Sequence, residues 1–371
     1  MTVLQKPVVP FADLGAQYAS IKDDIDRAIA DIIRTNKFIL GTEETRFEQA
    51  FARMARVPHA IGCSCGTSAL FIALKALGVR PGQEVIVPAL TYPATAEAVA
   101  LAGADIVLVD VEPDTGLMDL EAVRRAVTPK TWGIIPVHLY GQMVEMARVA
   151  ELAAAAGLQV VEDAAQAHAA ESGGMRAGAL SGAATFSFFP GKNLGAYGDA
   201  GAVVTKDAGM ASWMRQYRNH GRTDKYRHDF IGFNFRLDGL QAAILEVKLA
   251  HLERWTEARR RVAAEYRKGF EGSGIHCLVE RPQNRHVYHL FVIRHPERDR
   301  LRKTLSERGI ECGIHYPIPM HLHPAFASPA TPEGTFPVAE ALCREVLSLP
   351  VFPEMTPEQV QLVIKEVRAC A

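Results

Sequence analysis

Apolar and polar positions along the chain follow two periods. Ile21, Ile25, Ala28, Ile29, Ile32 and Ile33 recur at helical spacing and predict an amphipathic first helix. From residue 67 onward, short apolar runs alternate with longer helical patterns. The runs predict strands over 84–88, 106–111, 132–139, 159–162, 184–188 and 202–205. Helices are predicted between them, over 67–77, 94–102 and 145–156 among others. Strands that are apolar throughout and interleaved with helices indicate a mostly parallel sheet covered on both faces, an α/β fold. Ligands in such sheets sit beyond the carboxyl ends of the strands. Chemistry is therefore expected just after these runs.

Residues 237–270 read as one long helix, with Leu240, Ile244, Val247, Leu252 and Trp255 as its apolar stripe. The pattern then changes to a strand over 287–294, a helix over 298–308, a strand over 311–316 and a closing helix over 356–369. This change divides the chain into a large domain, 1–270, and a smaller C-terminal α/β domain, 271–371.

Composition narrows the class. Of 371 residues, 48% are hydrophobic and 22% charged, enough apolar material for a sizeable core. Lys+Arg number 41 against Asp+Glu 42, so no global basic footprint for nucleic acid or an anionic membrane exists. The most apolar window, 94–111, is interrupted by Glu97, Asp105 and Asp110 and falls short of a membrane span. Residues 1–14 carry no long apolar segment of a signal peptide. The six cysteines are scattered, which indicates a reducing compartment, and no second pair supports a metal site at Cys63 and Cys65. A cytoplasmic protein without bound metal is the expectation.

Four segments carry candidate chemistry. Cys65-Gly66-Thr67-Ser68 opens a helix with small and hydroxyl residues, suiting either phosphate binding or ordinary capping. Glu162 and Asp163 end a buried strand. An acid there serves a ribose, a metal or a protonated ring nitrogen, or is merely exposed. Ser187-Phe188-Phe189-Pro190-Gly191-Lys192-Asn193 presents one lysine beside three aromatic residues, Phe186, Phe188 and Phe189. Such a lysine is a surface group, or, in a dry pocket, a nucleophile or base. Arg215, Arg218, Arg222, Lys225 and Arg227 precede Gly232-Phe233-Asn234-Phe235-Arg236 and form a solvated basic face or an anion site for a diphosphate. Taken together, these features describe a pocket for pyridoxal phosphate, which needs a lysine, an acid at its ring nitrogen and a phosphate cradle.

The same ordered segments, with Pro136-Val137-His138-Leu139-Tyr140-Gly141 and Glu162-Asp163-Ala164-Ala165-Gln166-Ala167-His168, resemble the DegT/DnrJ/EryC1/StrS family of nucleotide-sugar aminotransferases. The resemblance spans nearly the whole chain. It implies fold type I of the pyridoxal-phosphate enzymes and a homodimer with shared active sites. It implies that Lys192 binds the cofactor covalently, Asp163 pairs with the ring nitrogen and Gln166 lies near the ring hydroxyl. Gly66, Thr67 and Ser187 match the phosphate cradle, Tyr92 the ring-stacking residue, and Asn234 a phosphate ligand from the other subunit. His315 and Tyr316 match a segment approaching the nucleotide-sugar, and Arg222 and Lys225 are further candidates for substrate contact.

The run Asn193-Leu194-Gly195-Ala196-Tyr197-Gly198-Asp199-Ala200-Gly201 resembles the branch acting on 3-keto sugars. The implied reaction moves an amino group from L-glutamate to a nucleotide-linked 3-keto-6-deoxyhexose. Alternatives are a 3-keto uronate, a 4-keto sugar, an aminocyclitol precursor, or a cofactor-binding regulatory protein without turnover.

Overall fold

The computed structural model describes residues 8–370; the first seven positions of the stretch read for a leader lie outside them. Twelve strands occur among the described residues: β1 (His59–Cys63), β2 (Glu84–Pro88), β3 (Asp105–Val109), β4 (Thr131–Ile134), β5 (Gln159–Asp163), β6 (Glu171–Ser172), β7 (Ala183–Ser187), β8 (Gly201–Thr205), β9 (His276–Cys277), β10 (Asn284–Arg285), β11 (Phe291–Arg294) and β12 (Val346–Leu349). Seven of them form one sheet in the order β1-β8-β7-β5-β4-β2-β3. The pairs from β7 to β3 are parallel, and only β8 runs against its neighbours. The architecture is the α/β arrangement expected, with helices on both faces.

The two-residue period of the strands sorts side chains between those faces. Val160, Ala184, Phe186 and Phe188 join the cluster that includes Phe47 and Phe51 of helix Thr42–Ala55. Val161, Ala183 and Val203 join Leu70, Ile72 and Leu74 of helix Gly66–Ala76 on the opposite face. Phe51 meets Phe186 and Phe188 edge-on, with centroids 4.9 and 5.1 Å apart. Burying one such side chain stabilises by roughly 1.5–3 kcal/mol, so the end of β7 is firmly seated. By the same alternation Asp163 and Ser187 share the face of helices Gly66–Ala76 and Ala94–Leu101. Glu162 points the other way.

A three-stranded antiparallel sheet, β12-β11-β9, packs with helices Arg298–Glu307 and Pro357–Arg368 around a separate apolar cluster. The last part of helix Leu252–Phe270 contributes Val262, Tyr266 and Phe270 to that cluster.

Several predicted elements differ. The helix expected over 237–270 is two helices, Gly239–Leu249 and Leu252–Phe270, joined at Ala250 and His251. The first part packs beside helices Lys22–Thr35 and Thr42–Ala55, and the second continues to Pro357–Arg368, so the chain changes direction between its partners. The strand expected over 287–294 begins only at Phe291. Val287 and Leu290 instead donate their N–H groups to Gly141 and Tyr140 carbonyls, docking this segment on the large sheet's loops. The strand expected over 311–316 makes one bridge, Gly313 to Ser348, before turning inward.

Candidate active site

The site lies beyond the carboxyl ends of β1, β2, β5 and β7. Asp163, the last residue of β5, is buried. Its Oδ2 accepts a 2.8 Å hydrogen bond from Thr95 Oγ1, and its Oδ1 accepts one of 3.1 Å from the Ala165 N–H. Thr95 Oγ1 lies 2.9 Å from Thr91 Oγ1, so two buried hydroxyls back the carboxylate. The neighbouring acid is accounted for separately. Glu162 accepts from the N–H of Gly178 and the hydroxyl of Ser181, and its Oε2 lies 2.7 Å from His138 Nε2. His138 Nδ1 accepts from the Val144 N–H at 3.2 Å, which makes Nε2 the donor to Glu162. Of the two acids at the strand end, Glu162 braces the loops and Asp163 faces the site.

Lys192 sits in the connection from β7 to β8, its N–H bonded to the Phe189 carbonyl at 2.8 Å. The turn is tight: a Cβ on Gly195 would lie 2.2 Å from the Pro190 carbonyl oxygen. Burial pushes the Lys192 ammonium down to about 8, with the Asp163 carboxylate pulling the other way. About a tenth of this amine is therefore unprotonated at pH 7, far more than for an ordinary lysine. Buried Lys248 donates a 2.6 Å hydrogen bond to the Gly195 carbonyl and helps hold the turn.

Gly66 starts its helix directly against the end of β7. A Cβ there would lie 2.7 Å from Ser187 Cβ, so only glycine leaves this corner open. Cys65 and Ser68 cap the helix reciprocally, while Thr67 is partly exposed. An open corner at a helix N-terminus, lined by a serine, suits a phosphate. With the depressed amine and the held carboxylate, these residues fit pyridoxal phosphate.

The remaining predicted residues are distributed less simply. Gln166 is buried; its Oε1 accepts from the Tyr140 N–H at 2.6 Å and its Nε2 donates to Tyr316 Oη at 3.1 Å. Tyr92 is 58% exposed, with its ring 5.8 Å from that of Tyr316. His315 stacks on Phe11, and its Nδ1 lies 2.9 Å from Ser348 Oγ. Burial, then the Lys192 charge, lowers His315 to about 4, so it is neutral. Tyr316 is raised well above the usual phenol range by burial and the Asp163 charge. The structure thus brings Tyr316 against Gln166 and Tyr92, with His315 beside it between Phe11 and Ser348.

Asn234, Arg222 and Lys225 make none of these contacts. Asn234 is exposed and bridges to Asn219. Arg222 Nε donates to the Asp224 carbonyl, and Lys225 lies over the Tyr226 ring. The basic run read as an anion site is partly committed elsewhere: Arg218 pairs with Glu44 and Glu48, Arg215 with Glu48, and Arg227 with Asp229. Two features escaped sequence reasoning. Thr95 meets Asp163 across 68 positions, and no local pattern marks it. His168, inside a quoted motif, is fully buried with both ring nitrogens unpartnered, and burial lowers it to about 3.

The profile of the DegT/DnrJ/EryC1/StrS aminotransferase family matches residues 19–368. The chain is 48% identical over 363 residues to the "pleiotropic regulatory protein" of Geobacillus stearothermophilus, covering 97% of each. It is 46% identical over 368 residues to the dTDP-3-amino-3,4,6-trideoxy-alpha-D-glucose transaminase of Streptomyces venezuelae, covering 99% of this chain and 97% of that one. The crystal structure of S. venezuelae DesV in complex with a ketimine intermediate matches with a TM-score of 0.96, 46% identity and 99% coverage of both chains. Fold, site and these likenesses define a pyridoxal-phosphate-dependent aminotransferase. The chain belongs to the DegT/DnrJ/EryC1/StrS aminotransferase family.

Proposed function

We propose that this enzyme transfers an amino group from L-glutamate to C3 of a nucleotide-linked 3-keto-6-deoxyhexose, as a cytoplasmic homodimer. The observation that carries the amine-transfer reading is the Lys192 amine, lowered to about 8 beside the charge of Asp163. The S. venezuelae transaminase supports the sugar class and the C3 position, as does the run from Asn193 to Gly201.

In this reading Gly66, Thr67 and Ser187 bind the cofactor phosphate, and Asn234 reaches it from the partner subunit. Tyr92 covers the ring, while Gln166 positions Tyr316 beside it. Asp163, fixed by Thr95 and the Ala165 N–H, holds a proton on the ring nitrogen. Bound pyridoxal phosphate supplies the carbonyl that carries the amine and the ring that accepts electrons. Lys192 anchors the cofactor and, once free, moves the proton between carbon and cofactor. His315 and Tyr316 line the approach of the sugar. Arg222 and Lys225 meet the nucleotide of the partner's site. Exposed apolar residues such as Phe38, Ile39, Leu40, Phe189 and Ile231 form the surface that a second copy covers. Residues 1–270 form the cofactor-binding part and 271–371 the smaller part that closes on it.

The experiment offers matched 3-keto and 4-keto nucleotide sugars with glutamate and locates the new nitrogen by NMR. Amination at C3 is expected; amination at C4 alone overturns the regiochemistry. A second reading, a cofactor-binding regulator without turnover, is favoured by the name of the Geobacillus relative. Retention of cofactor with no amine transfer to either sugar would select it.

A further inference from the structure

Tyr140 lies buried in the turn Leu139–Gly141, close behind the acids of β5. The stretch before it is fixed to that strand: Asp163 donates its N–H to the Pro136 carbonyl at 3.0 Å, and His138 donates its own to the Asp163 carbonyl at 2.9 Å. Tyr140 holds a positive φ of 62°, a conformation that bulky residues rarely adopt. Such a backbone persists where surrounding bonds over-determine it. Here the N–H donates to Gln166 Oε1 at 2.6 Å, and the carbonyl accepts from the Leu290 N–H at 3.2 Å. Gly141 makes room for this approach: a Cβ there would lie 2.9 Å from the His289 backbone nitrogen and 3.1 Å from the Gln166 carbonyl oxygen. The side chain then reaches the C-terminal segment, where Tyr140 Oη donates to the His315 carbonyl at 2.5 Å.

The two bonds made by Tyr140 N–H and Oη converge on one contact. With Oε1 taken by the Tyr140 N–H, the Gln166 amide presents Nε2 to Tyr316 Oη, 3.1 Å away. The carbonyl held by Tyr140 Oη belongs to the residue just before Tyr316. Tyr140 therefore sets both the donor that meets the Tyr316 phenol and the backbone that carries it. Tyr316 Oη accepts from Gln166, which leaves its own O–H to donate elsewhere. We infer that Tyr140 is a positioning residue for the sugar half of the reaction, aiming the Tyr316 phenol so that it accepts from Gln166 and keeps its O–H for the incoming sugar. The inference rests on the place of Tyr316 along the sugar's approach proposed above.

The test reads Tyr316 directly. In cofactor-free full-length protein, Tyr316 is replaced by 3-fluorotyrosine and its ¹⁹F resonance is recorded. Tyr140→Phe keeps the ring, the backbone and the N–H to Gln166, and removes only the bond to the His315 carbonyl. It is expected to shift or split the resonance. Tyr266→Phe is the control: it loses an equally buried phenol bond, 2.8 Å to the Pro350 carbonyl in the separate apolar cluster, and should leave the resonance in place. In the cofactor-loaded enzyme, Tyr140→Phe should lower kcat/KM for a nucleotide-linked 3-keto sugar about tenfold, as for one lost buried hydrogen bond. The glutamate half-reaction, followed by cofactor absorbance, should stay within about twofold of wild type. A merely structural role lowers thermal stability in both variants and moves neither the resonance nor the ratio of the half-reactions. An unmoved resonance, or two half-reactions slowed equally, overturns the inference. If Tyr140→Phe does not fold, the reciprocal pair decides: 3-fluorotyrosine in place of Tyr140 must report Tyr316→Phe, and no shift there overturns the inference. Failure of the proposed function shows separately, as a wild-type enzyme that takes nitrogen from glutamate yet aminates no keto sugar.

Discussion

Replacing Thr95 with Val exchanges one buried hydroxyl for a methyl group of nearly the same shape. The hydroxyl donates to Asp163 at 2.8 Å and lies 2.9 Å from the hydroxyl of Thr91. Thr95 has no exposed surface, so water cannot replace the lost donor without rearrangement. A hydrogen bond to a charged group contributes roughly 1.5–3 kcal/mol. If Asp163 must remain an oriented carboxylate, that loss corresponds to about 10- to 100-fold in the rate of amine transfer. The half-reaction with glutamate, followed by cofactor absorbance in a stopped-flow instrument, measures the step directly. A double-mutant cycle of Thr95→Val with Asp163→Asn should show that the second substitution costs far less once the first is present. Two wholly additive effects, or a Thr95→Val rate within twofold of wild type, would refute the claim that Thr95 acts through Asp163.

Gly66→Ala places a methyl group 2.7 Å from Ser187 Cβ. Cofactor affinity by equilibrium dialysis should fall at least ~10-fold, with circular dichroism unchanged, because neither backbone can yield freely. Arg218→Met leaves buried Glu44 and Glu48 facing one another without the guanidinium that lies 2.7 and 2.6 Å from them. Breaking such a pair costs about 3–5 kcal/mol, to be read from urea unfolding; a loss below ~1 kcal/mol contradicts the assignment. Lys192→Ala and Asn234→Ala, each impaired alone, should regain activity when exchanged into heterodimers, since one site per heterodimer then has both native residues. Confirmed subunit exchange without recovery would exclude a shared site.

The main sheet was legible where strands are buried on both faces. Val85, Ile86 and Val87 are fully buried, and so is Val161, whose flanking acids end β5. The direction of β8 was not legible, because a buried apolar run is the same whichever way it runs. The segment 311–316 alternates like a strand but bridges at only one position, since its task is to carry His315 and Tyr316 inward. Motifs contiguous in sequence, such as those holding Asp163 and Lys192, were recognisable because their neighbours are local. Pairs formed across the fold were not: Thr95 with Asp163, and Asn193 with His289, are 68 and 96 positions apart. How much of the basic run before Asn234 is already paired was not legible for a related reason. Glu44 and Glu48, which neutralise Arg218, lie on a helix some 170 residues earlier.

The central claim is that this chain moves nitrogen from an amino acid to a sugar through Lys192. Its most direct test supplies purified, pyridoxal-phosphate-loaded protein with ¹⁵N-glutamate and a nucleotide-linked 3-keto-6-deoxyhexose, and follows the isotope by NMR. The account predicts ¹⁵N bonded to C3 of the sugar, 2-oxoglutarate in equal amount, and neither product from the Lys192→Ala variant. Cofactor bound at Lys192 with no ¹⁵N in any nucleotide sugar, or undiminished transfer by Lys192→Ala, would contradict it.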